Sequence, residues 1–315
     1  MDSSLKMELS MTERQVDVAV VILTCDQKDV TLRCLESFDD VKRDGVEILV
    51  WDNGSTDGTK RAIEEQFPDV EVRRSDQNLG VAGGRNAGAS AAMELWNPEF
   101  LLFLDNDTIV TSGFIEDLIA PFQKYSDVGA TTPKICYTDS PDVIDAAGGC
   151  RVTFWTGQTP PVGSGEVDRG QYEVQRDCIP GGCCMLVKTN VFRELQGFDE
   201  EYDPFLLQDI DFSLRVRDTD YRCTYVPDAV IYHDETQTFE KGSYTQRYAY
   251  QKARNWYYFV ERHANPIEKA GFWLVGVPWR LLSAAIREGR RGNIRAITGL
   301  LAEGWNDLTG RSEEQ

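Results

Sequence analysis

The chain has 315 residues, of which 33 are Lys or Arg and 52 are Asp or Glu, so its formal net charge is −19. Hydrophobic residues make up 41% of the sequence, which excludes an intrinsically disordered chain, and this length is sufficient for a large buried core. The acidic excess argues against a nucleic-acid partner, because binding to phosphates without sequence preference requires cationic side chains.

The first 110 residues alternate between short apolar runs and segments with helical periodicity. Near-continuous apolar runs are typical of strands buried on both faces, and apolar residues three or four positions apart indicate helices. The pattern predicts strands over residues 16–23, 46–51, 70–72 and 100–104, with helices near 32–38 and 63–67 and over 80–96. Strands separated by helices predict an α/β fold with a mostly parallel, Rossmann-like sheet and helices on both faces.

Beyond residue 110 the pattern is less regular. A helix is predicted over residues 113–122, and the Gly-, Pro-, Thr- and Asp-rich residues 133–180 indicate an insertion or hairpin layer with short strands near 143–154. A strand over 183–188, helices over 191–195 and 210–217, and two strands over 223–226 and 229–232 follow. We therefore expect one α/β domain over residues 1–242.

Residues 243–315 are predicted to form a C-terminal helical region that is locally cationic and rich in Trp. The residues that give it this character are Trp273, Trp279, Arg287, Arg290, Arg291 and Arg295. Trp and Arg together suit the headgroup layer of a membrane, although amphipathic helices that cover the domain's own core would show the same pattern. No stretch reaches the ~18 uncharged apolar residues that a membrane-spanning helix needs.

The cysteines and the N-terminal segment favour a cytoplasmic protein. None of the eight cysteines forms a C-x-x-C pair, which argues against a zinc ribbon or a thioredoxin-like site and favours free, buried thiols in a reducing cytosol. Residues 1–16 are polar and carry both signs of charge, unlike a secretory signal peptide.

Polar residues follow each of the first four predicted strands, and ligands of open parallel sheets bind beyond the carboxyl ends of the strands. Asx and Gly residues also end strands and cap helices where no ligand binds, but four such segments in succession favour a site. The candidate residues in these segments are Thr24, Asp26, Asp52, Asn53, Asn78, Gly80, Arg85, Asn86, Asp105, Asn106 and Asp107.

Asp105 and Asp107 flank one residue directly after an apolar strand. In an extended backbone, residues i and i+2 point the same way, so two carboxylates face one spot and suit Mg²⁺ or Mn²⁺. A β-turn stabilised by Asx side chains is the alternative interpretation of the same pattern. No G-x-G-x-x-G motif follows the first strand and no P-loop motif occurs, so neither a dinucleotide nor a P-loop site is indicated.

Taken in order, four segments resemble the family-2 glycosyltransferases, which have the GT-A fold. The segments are DNGSTDGT (52–59), NLGVAGGRNAG (78–88), LLFLDNDTIV (101–110) and GFDEEYDPFLLQDIDFSLR (197–215), and the resemblance covers about residues 16–262. The rhamnosyltransferase-like and cell-surface-glycan branch is the most similar. The composition of 10 Lys against 23 Arg is also compatible with a haloarchaeal protein-glycosylation member.

The resemblance implies a role for each matched residue. Asp52 is expected to contact the nucleobase, Asp105 the ribose or the metal, and Asp107 the metal, with His233 completing the metal site. Asp209 matches the catalytic base, which takes the proton from the acceptor hydroxyl. Gln208 stands where the family commonly has Glu. The resemblance and the neighbouring sequence add Gly181, Gly182, Gln208 and Asp211 as acceptor-side residues.

The implied activity is inverting transfer of a sugar, with Mn²⁺ or Mg²⁺, from a UDP- or dTDP-linked donor. The implied acceptor is a hydroxyl of a glycan or of a glycan linked to polyprenyl or dolichyl phosphate, at the cytoplasmic face of the membrane. A sugar nucleotidyltransferase and a catalytically dead binding module are the alternatives. A chain cut near Gly242 is expected to retain its nucleotide site, because every motif above lies before that residue.

Overall fold

The computed structural model describes residues 16–39, 41, 44–234 and 246–280, and the side chains of these residues except 246–250. Ten strands in this part of the chain form one mixed sheet with the order β3-β2-β1-β4-β9-β6-β10-β5, while β7 pairs with β6 and β8 with β10. The strands are β1 (Val18–Thr24), β2 (Val46–Asp52), β3 (Glu71–Arg74), β4 (Phe100–Asp105), β5 (Thr108–Val110), β6 (Val128–Tyr137), β7 (Ser140–Ala147), β8 (Arg176–Asp177), β9 (Cys184–Lys188) and β10 (Arg222–His233).

The direction of the strands brings the predicted site residues to one edge of the sheet. Strand β1 pairs in parallel with β2 and β4, and β2 pairs in parallel with β3. Strand β9 is antiparallel to both β4 and β6, so β6 and its parallel partner β10 run in the same direction as β4. The carboxyl ends of β1, β2, β4 and β10 therefore share one edge.

Helices cover both faces of the sheet, as the sequence predicts. They are α1 (Lys28–Glu36), α2 (Thr59–Gln66), α3 (Gly80–Trp96), α4 (Phe114–Lys124), α5 (Thr189–Glu194), α6 (Gln208–Arg217), α7 (Gln246–His263) and α8 (Pro266–Gly271). The core on one face joins apolar side chains of α1, α2 and α4 to the sheet, and the core on the other face joins those of α3, α5 and α6. Each strand of the centre is consequently buried on both sides.

The structure differs from the sequence-based prediction at three places after β4. Residues 128–137 form the central strand β6, although Gly129, Thr131 and Pro133 give this segment little apolar pattern. Strand β10 is one element where two strands were predicted. The residues between the two predicted strands, 227 and 228, fall at a register shift between Val226 and Val230 and do not end the strand. The short antiparallel strand β5 was not predicted.

Helix α7 packs against the segment that leads into α6. Phe259 is fully buried with Tyr202, Leu207 and Ile210. The Nδ2 atom of buried Asn255 donates to the carbonyl oxygens of Tyr202 and Phe205, at 2.6 and 2.7 Å. The predicted boundary at residues 242/243 falls among residues outside the described ranges and stays a prediction.

Within the ranges that the structure describes, no helix combines the length and the apolar character required to cross a bilayer. All eight cysteines have free thiols, and six of them are buried. The arginines at positions 287, 290, 291 and 295 lie outside the described residues.

Candidate active site

Asp26 connects the loop after β1 to the loop after β2, and Asp52 stabilises the loop after β2 from within. The carboxylate of Asp52 is fully buried, where Oδ1 accepts from the Ser55 backbone N–H at 2.7 Å and Oδ2 lies 3.3 Å from Arg74 Nη1. Asp26 Oδ1 accepts from the backbone N–H of Thr56 at 2.5 Å. Both predicted donor-binding carboxylates thus hold the segment 53–56 in place.

Asn53 and Asn78 hold the next loop. The Nδ2 of Asn53 donates to Asn78 Oδ1 at 3.0 Å and to the Gly80 carbonyl at 2.9 Å, while its Oδ1 accepts from the Leu79 N–H at 3.0 Å. Gly80 has a φ of +85°, and a Cβ there would lie 2.3 Å from Cγ of Asp203. Only glycine fits this approach and this backbone conformation.

The N-terminus of α3 is occupied by protein groups. Asp203 accepts from the backbone N–H groups of Ala82 and Gly83 at 2.8 and 3.0 Å, and the Pro204 carbonyl accepts from Val81 at 3.0 Å. An anionic cap is favourable at this end of a helix, where three orphan donors would otherwise remain. Asp203 was not identified from the sequence, since its partners are about 120 residues away in the chain.

Asn86 also contacts protein groups, on the same side of α3. Its Oδ1 accepts from the Phe198 N–H and its Nδ2 donates to the Phe198 carbonyl, both at 2.9 Å. The same Nδ2 lies 3.0 Å from Glu200 Oε1. The structure therefore gives Asn86 the task of fixing the turn at residues 198–200.

Thr24 and Asn106 lie together behind the strand ends. The Nδ2 of buried Asn106 is within hydrogen-bond distance of Gln27 Oε1 at 3.0 Å, Thr31 Oγ1 at 2.9 Å and Thr24 Oγ1 at 3.3 Å. This amide links the segment after β4 to the start of α1. The middle residue of the Asp105–Asp107 segment is thereby turned into the protein, between its two carboxylates.

Arg85 reaches from α3 to the end of β4, where its Nη2 lies 2.5 Å from Asp105 Oδ1. The guanidinium is buried, whereas the Asp105 side chain is only partly so. Burial and the neighbouring Asp107 raise the pKa of Asp105, and Arg85 opposes that shift. Arg85 also interacts electrostatically with Asp209, so one buried cation serves carboxylates from two different elements.

Asp107 and His233 meet at the ends of β4 and β10. His233 Nε2 lies 3.4 Å from Asp107 Oδ1, and His233 Nδ1 lies 2.8 Å from Asp145 Oδ2. Burial lowers the pKa of His233, but hydrogen bonding and charge interactions with Asp107 and Asp145 outweigh it and raise the pKa to about 10. Asp145 was not singled out from the sequence.

The donors at this point suit a divalent metal only in part. Among the residues that the structure describes, no group of three or more His, Cys, Asp and Glu side chains is arranged to hold a metal ion by itself. A carboxylate and an imidazole are nevertheless ligands that Mn²⁺ accepts, and such ions commonly complete their coordination with phosphate oxygens and water. Asp107 and His233 therefore fit a cation that a bound diphosphate helps to hold.

Asp209 lies in the first turn of α6 and is buried. Its Oδ2 accepts a hydrogen bond from the backbone N–H of Gly182. Gly182 has a φ of +103°, and a Cβ built there meets no atom within 4 Å, so the backbone beside Asp209 borders open space. A Cβ at Gly181, in contrast, would lie 2.9 Å from Cγ1 of Ile210. Gly181 thus permits close packing, whereas Gly182 borders the candidate acceptor side.

Gln208 precedes Asp209 in the same turn and is also buried. Its Oε1 atom is buried without a hydrogen-bond partner among the described residues. A buried amide oxygen normally accepts a hydrogen bond, so this atom is a candidate acceptor for a ligand hydroxyl.

Asp211, an expected acceptor-side residue, has protein partners for both of its carboxylate oxygens. The residue is fully buried. Its Oδ2 lies 2.7 Å from Arg215 Nε, and its Oδ1 lies 2.8 Å from His263 Nε2 and 3.3 Å from the Tyr202 hydroxyl. Asp211 is a structural link between α6, α7 and the segment before α6.

Comparison with known proteins agrees with this architecture. The profile of the family described as "Glycosyl transferase family 2" matches residues 19–191. The chain is 24% identical over 284 residues to an N-acetylglucosaminyl-diphospho-decaprenol L-rhamnosyltransferase of Mycobacterium tuberculosis, covering 81% of this chain and 89% of that protein. The match of the family profile ends before Asp209 and His233, whereas the match to the relative is longer.

Two solved structures share the fold. A mannosyltransferase from Pyrobaculum calidifontis in complex with GDP-Man and Mn²⁺ is similar with a TM-score of 0.54 and 15% identity, covering 95% of this chain and 89% of that one. GalNAc-T7 with UDP, GalNAc and Mn²⁺ is similar with a TM-score of 0.63 and 16% identity, covering 95% and 58%. At these identities the likeness establishes a GT-A fold.

Proposed function

Since this chain belongs to glycosyl transferase family 2, we propose that it is an inverting, metal-dependent glycosyltransferase acting on a nucleoside diphosphate sugar. The observation that carries the proposal is that Asp107 and His233 lie side by side at the sheet edge where β4 and β10 end. Arg85 adds to it, because this buried cation interacts with both Asp105 and Asp209. The carboxylate at the end of β4 and the buried carboxylate at the start of α6 thus share one buried cation.

The donor would lie across the ends of β1, β2 and β4. Because Asp52 is fully buried and both of its oxygens have protein partners, we propose that it shapes the segment 53–56 against which the nucleobase rests. Asp105 is partly exposed and is the better candidate for a ribose hydroxyl. Asn53, Asn78, Gly80 and Asn86 would act by holding the loops around the donor.

The chemistry falls to Asp209. The acceptor hydroxyl oxygen attacks the anomeric carbon from the face opposite the leaving group, the bond from that carbon to the diphosphate oxygen breaks, and the hydroxyl proton moves to the carboxylate. Gly182 holds one carboxylate oxygen by its N–H, which fixes the orientation of the base. Each carboxylate oxygen has further lone pairs, so it can still accept a proton from a hydroxyl in the open space beside Gly182.

A divalent cation would neutralise charge that develops on the departing diphosphate. Asp107 and His233 are the residues of this chain that would hold it, through a carboxylate oxygen and Nε2. The two solved neighbours crystallised with Mn²⁺ support this part of the proposal. Despite burial, the neighbouring carboxylates raise the pKa of His233, so a cation at Nε2 would compete with a proton for that nitrogen.

The acceptor is proposed to be a hydroxyl of a glycan, in particular of a lipid-linked glycan. The support is the relative whose name specifies an N-acetylglucosaminyl-diphospho-decaprenol acceptor. We further propose peripheral attachment at the cytoplasmic face of the membrane, because several apolar side chains after α7 are exposed. Ile267, Leu274 and Trp279 are 72%, 77% and 58% exposed.

The test is release of nucleoside diphosphate from a panel of UDP-, dTDP- and GDP-sugars, with Mn²⁺, Mg²⁺ or chelator and with lipid-linked acceptors. A glycosyltransferase releases nucleoside diphosphate from one donor, faster with acceptor and metal. A sugar nucleotidyltransferase would instead make pyrophosphate from a nucleoside triphosphate and a sugar phosphate. A binding module would retain affinity for the donor without turnover.

A further inference from the structure

We infer that Asp145 is a positioning residue that holds the His233 ring with Nε2 aimed at the cation site. The inference rests on the proposed metal role of His233. Asp145 lies on strand β7, and none of the roles proposed above in donor binding, acceptor binding or proton transfer involves a residue of this strand.

The two residues come from strands on either side of β6. Strand β7 pairs with one edge of β6, and β10 pairs with the other. His233 lies opposite Tyr137 in the register of β10 with β6. Because β6 separates the two backbones, the contact between Asp145 and His233 is made by side chains that cross over it.

A β-bulge turns Asp145 toward the histidine. Ile135 pairs with Ala146 and the next residue, Cys136, pairs with Ile144, so Asp145 has no partner on β6 in the ladder. An extra residue of this kind bends the strand and re-aims its side chain, which is a recurrent arrangement beside active sites. Side chains of a regular strand alternate between the two faces of the sheet. At Asp145 the bulge interrupts this alternation, and the side chain contacts His233.

The geometry of the contact fixes both nitrogens of the ring. Asp145 Oδ2 lies 2.8 Å from Nδ1, and Nε2 faces Asp107 Oδ1 at 3.4 Å. With Nδ1–H donating to Asp145, Nε2 is the ring nitrogen that remains to face the cation site. Histidine ligands of metals ordinarily donate their second ring N–H to a carboxylate or carbonyl in this manner, which fixes the tautomer and makes the ligand more basic.

Burial makes the contact more than an incidental surface pair. Asp145, His233 and Asp107 have side chains that are 11%, 15% and 5% exposed. A carboxylate in such a position requires a partner, and His233 is the partner that the structure provides. Removing a hydrogen-bond partner of a metal ligand typically lowers metal affinity by about 10–100-fold.

The two histidines of the chain make the test specific. In protein labelled with ¹⁵N-histidine, the imidazole signals of His233 and His263 report the protonation and tautomer of each ring directly. His263 is bonded to Asp211 on α6 and serves as an internal reference for folding. Mn²⁺ with UDP should broaden the His233 signals selectively, and Mg²⁺ with UDP should show one tautomer with the proton on Nδ1.

Asp145→Asn and Asp145→Leu are compared with Asp142→Asn, which changes an exposed residue on the same strand. We expect the Leu variant to bind Mn²⁺ in the presence of UDP about 10–100-fold more weakly and to lose the single tautomer, with an intermediate effect for Asn. The Asp142→Asn variant should match the wild type. In the Asp145 variants, the UDP affinity without metal and the His263 signals should also equal those of the wild type.

Two results would overturn the inference, and they differ in what else they affect. Selective broadening of His233 in the wild type, together with unchanged metal affinity and tautomer in both Asp145 variants, would reject the role of Asp145 and leave the proposed metal site standing. Absence of any Mn²⁺ effect on His233 in the wild type would reject the metal role of His233 itself.

Discussion

Nε2 of His263 lies 2.8 Å from Oδ1 of Asp211, which connects helix α7 to the helix whose first turn carries Asp209. Asn255 of α7 donates to the carbonyls of Tyr202 and Phe205, in the segment that leads into that turn. The same segment contains Asp203, the cap of α3. Helix α7 therefore supports the segment that leads to Asp209 as well as the core beneath it.

The link between Asp211 and α7 predicts a pH-dependent contribution to stability. Burial raises the pKa of Asp211, but its hydrogen bond with His263 and the charges of Arg215 and Arg262 outweigh this, so the pKa in the folded protein is lowered from 3.8. A carboxyl with a lowered folded-state pKa contributes stability above its unfolded value and loses it as the pH falls through the folded value. We expect Asp211→Asn to reduce the free energy of unfolding by about 3–5 kcal/mol above pH ~5.

Urea unfolding of the wild type and the Asp211→Asn variant at several pH values measures this difference. It should shrink below the ordinary pKa of 3.8, where the wild-type carboxyl also becomes protonated. An equal difference at every pH would mean that the ion pairs of Asp211 contribute nothing.

A chain that ends after residue 242 should be strongly destabilised. The deletion removes Phe259 from the cluster with Tyr202 and Leu207 and leaves buried carbonyls without the Asn255 donor. A buried Phe alone contributes about 3–5 kcal/mol, so the midpoint of thermal unfolding should fall by about 10 °C or more. This replaces the sequence-based expectation that such a chain retains its nucleotide site.

The matched control is a chain that ends after residue 280, which keeps α7 and α8. Differential scanning fluorimetry and UDP titration of both truncated proteins separate the contribution of residues 243–280 to stability and UDP affinity from that of the residues after 280. Equal melting temperatures and equal UDP affinities for the wild type and the 242-residue chain would contradict the support role of α7.

Asp107→Ala should remove most of the metal-dependent part of UDP affinity, since the carboxylate is one of the two protein ligands proposed for the cation. UDP affinity in the presence of chelator should stay the same. Calorimetric titrations with and without Mn²⁺ measure both, with Asp228→Ala, an exposed change on β10, as the control. Unchanged metal-dependent affinity in the Asp107 variant would show that the cation is held elsewhere.

Asp209→Asn should lower turnover by about 10²–10⁴-fold, because the amide cannot take a proton. Its oxygen can still accept from the Gly182 N–H, so the fold and the affinity for donor should hardly change. Asp218→Asn, an exposed change just after α6, is the control for steady-state kinetics. Turnover close to that of the wild type would show that another group is the base.

The exposed apolar side chains after α7 predict membrane binding. Replacing Leu274 and Trp279 with Glu should abolish flotation with anionic vesicles, because both residues would have to enter the headgroup layer. Val174→Glu, which alters a side chain that is 72% exposed elsewhere, should leave flotation unchanged. If the wild-type protein does not float with vesicles, peripheral attachment through this surface is excluded.

Local patterns in the sequence predicted the parts of the fold that depend on local periodicity. Helix α3 spans the predicted residues 80–96, and β1, β2 and β4 differ from prediction by a few residues at most. Strand β6 escaped because its place in the sheet is decided by β9 and β10, which come more than forty residues later in the chain. With its Thr and Gly residues, the sequence of β6 has too little apolar periodicity to indicate a buried strand.

The same distinction applies to the site. Asp107, His233 and Asp209 follow strands or begin a helix, so local motifs identified them as candidates. Asp145 and Asp203 act through partners 88 and about 120 residues away, and although Asp203 lies in the segment 197–215, nothing local distinguishes it there as a helix cap. Asp211 shows the converse case, because its position next to Asp209 suggested an acceptor role, whereas its side chain points to α7.

The anomeric configuration of the product tests the central claim most directly. With the donor found in the panel, the ¹³C–¹H coupling at the transferred sugar's anomeric carbon is compared between donor and product by NMR. Direct attack of a hydroxyl assisted by Asp209 predicts the opposite configuration in the product, formed only when a divalent cation is present. A product that retains the configuration of the donor would contradict single-displacement transfer and the role of Asp209 as its base.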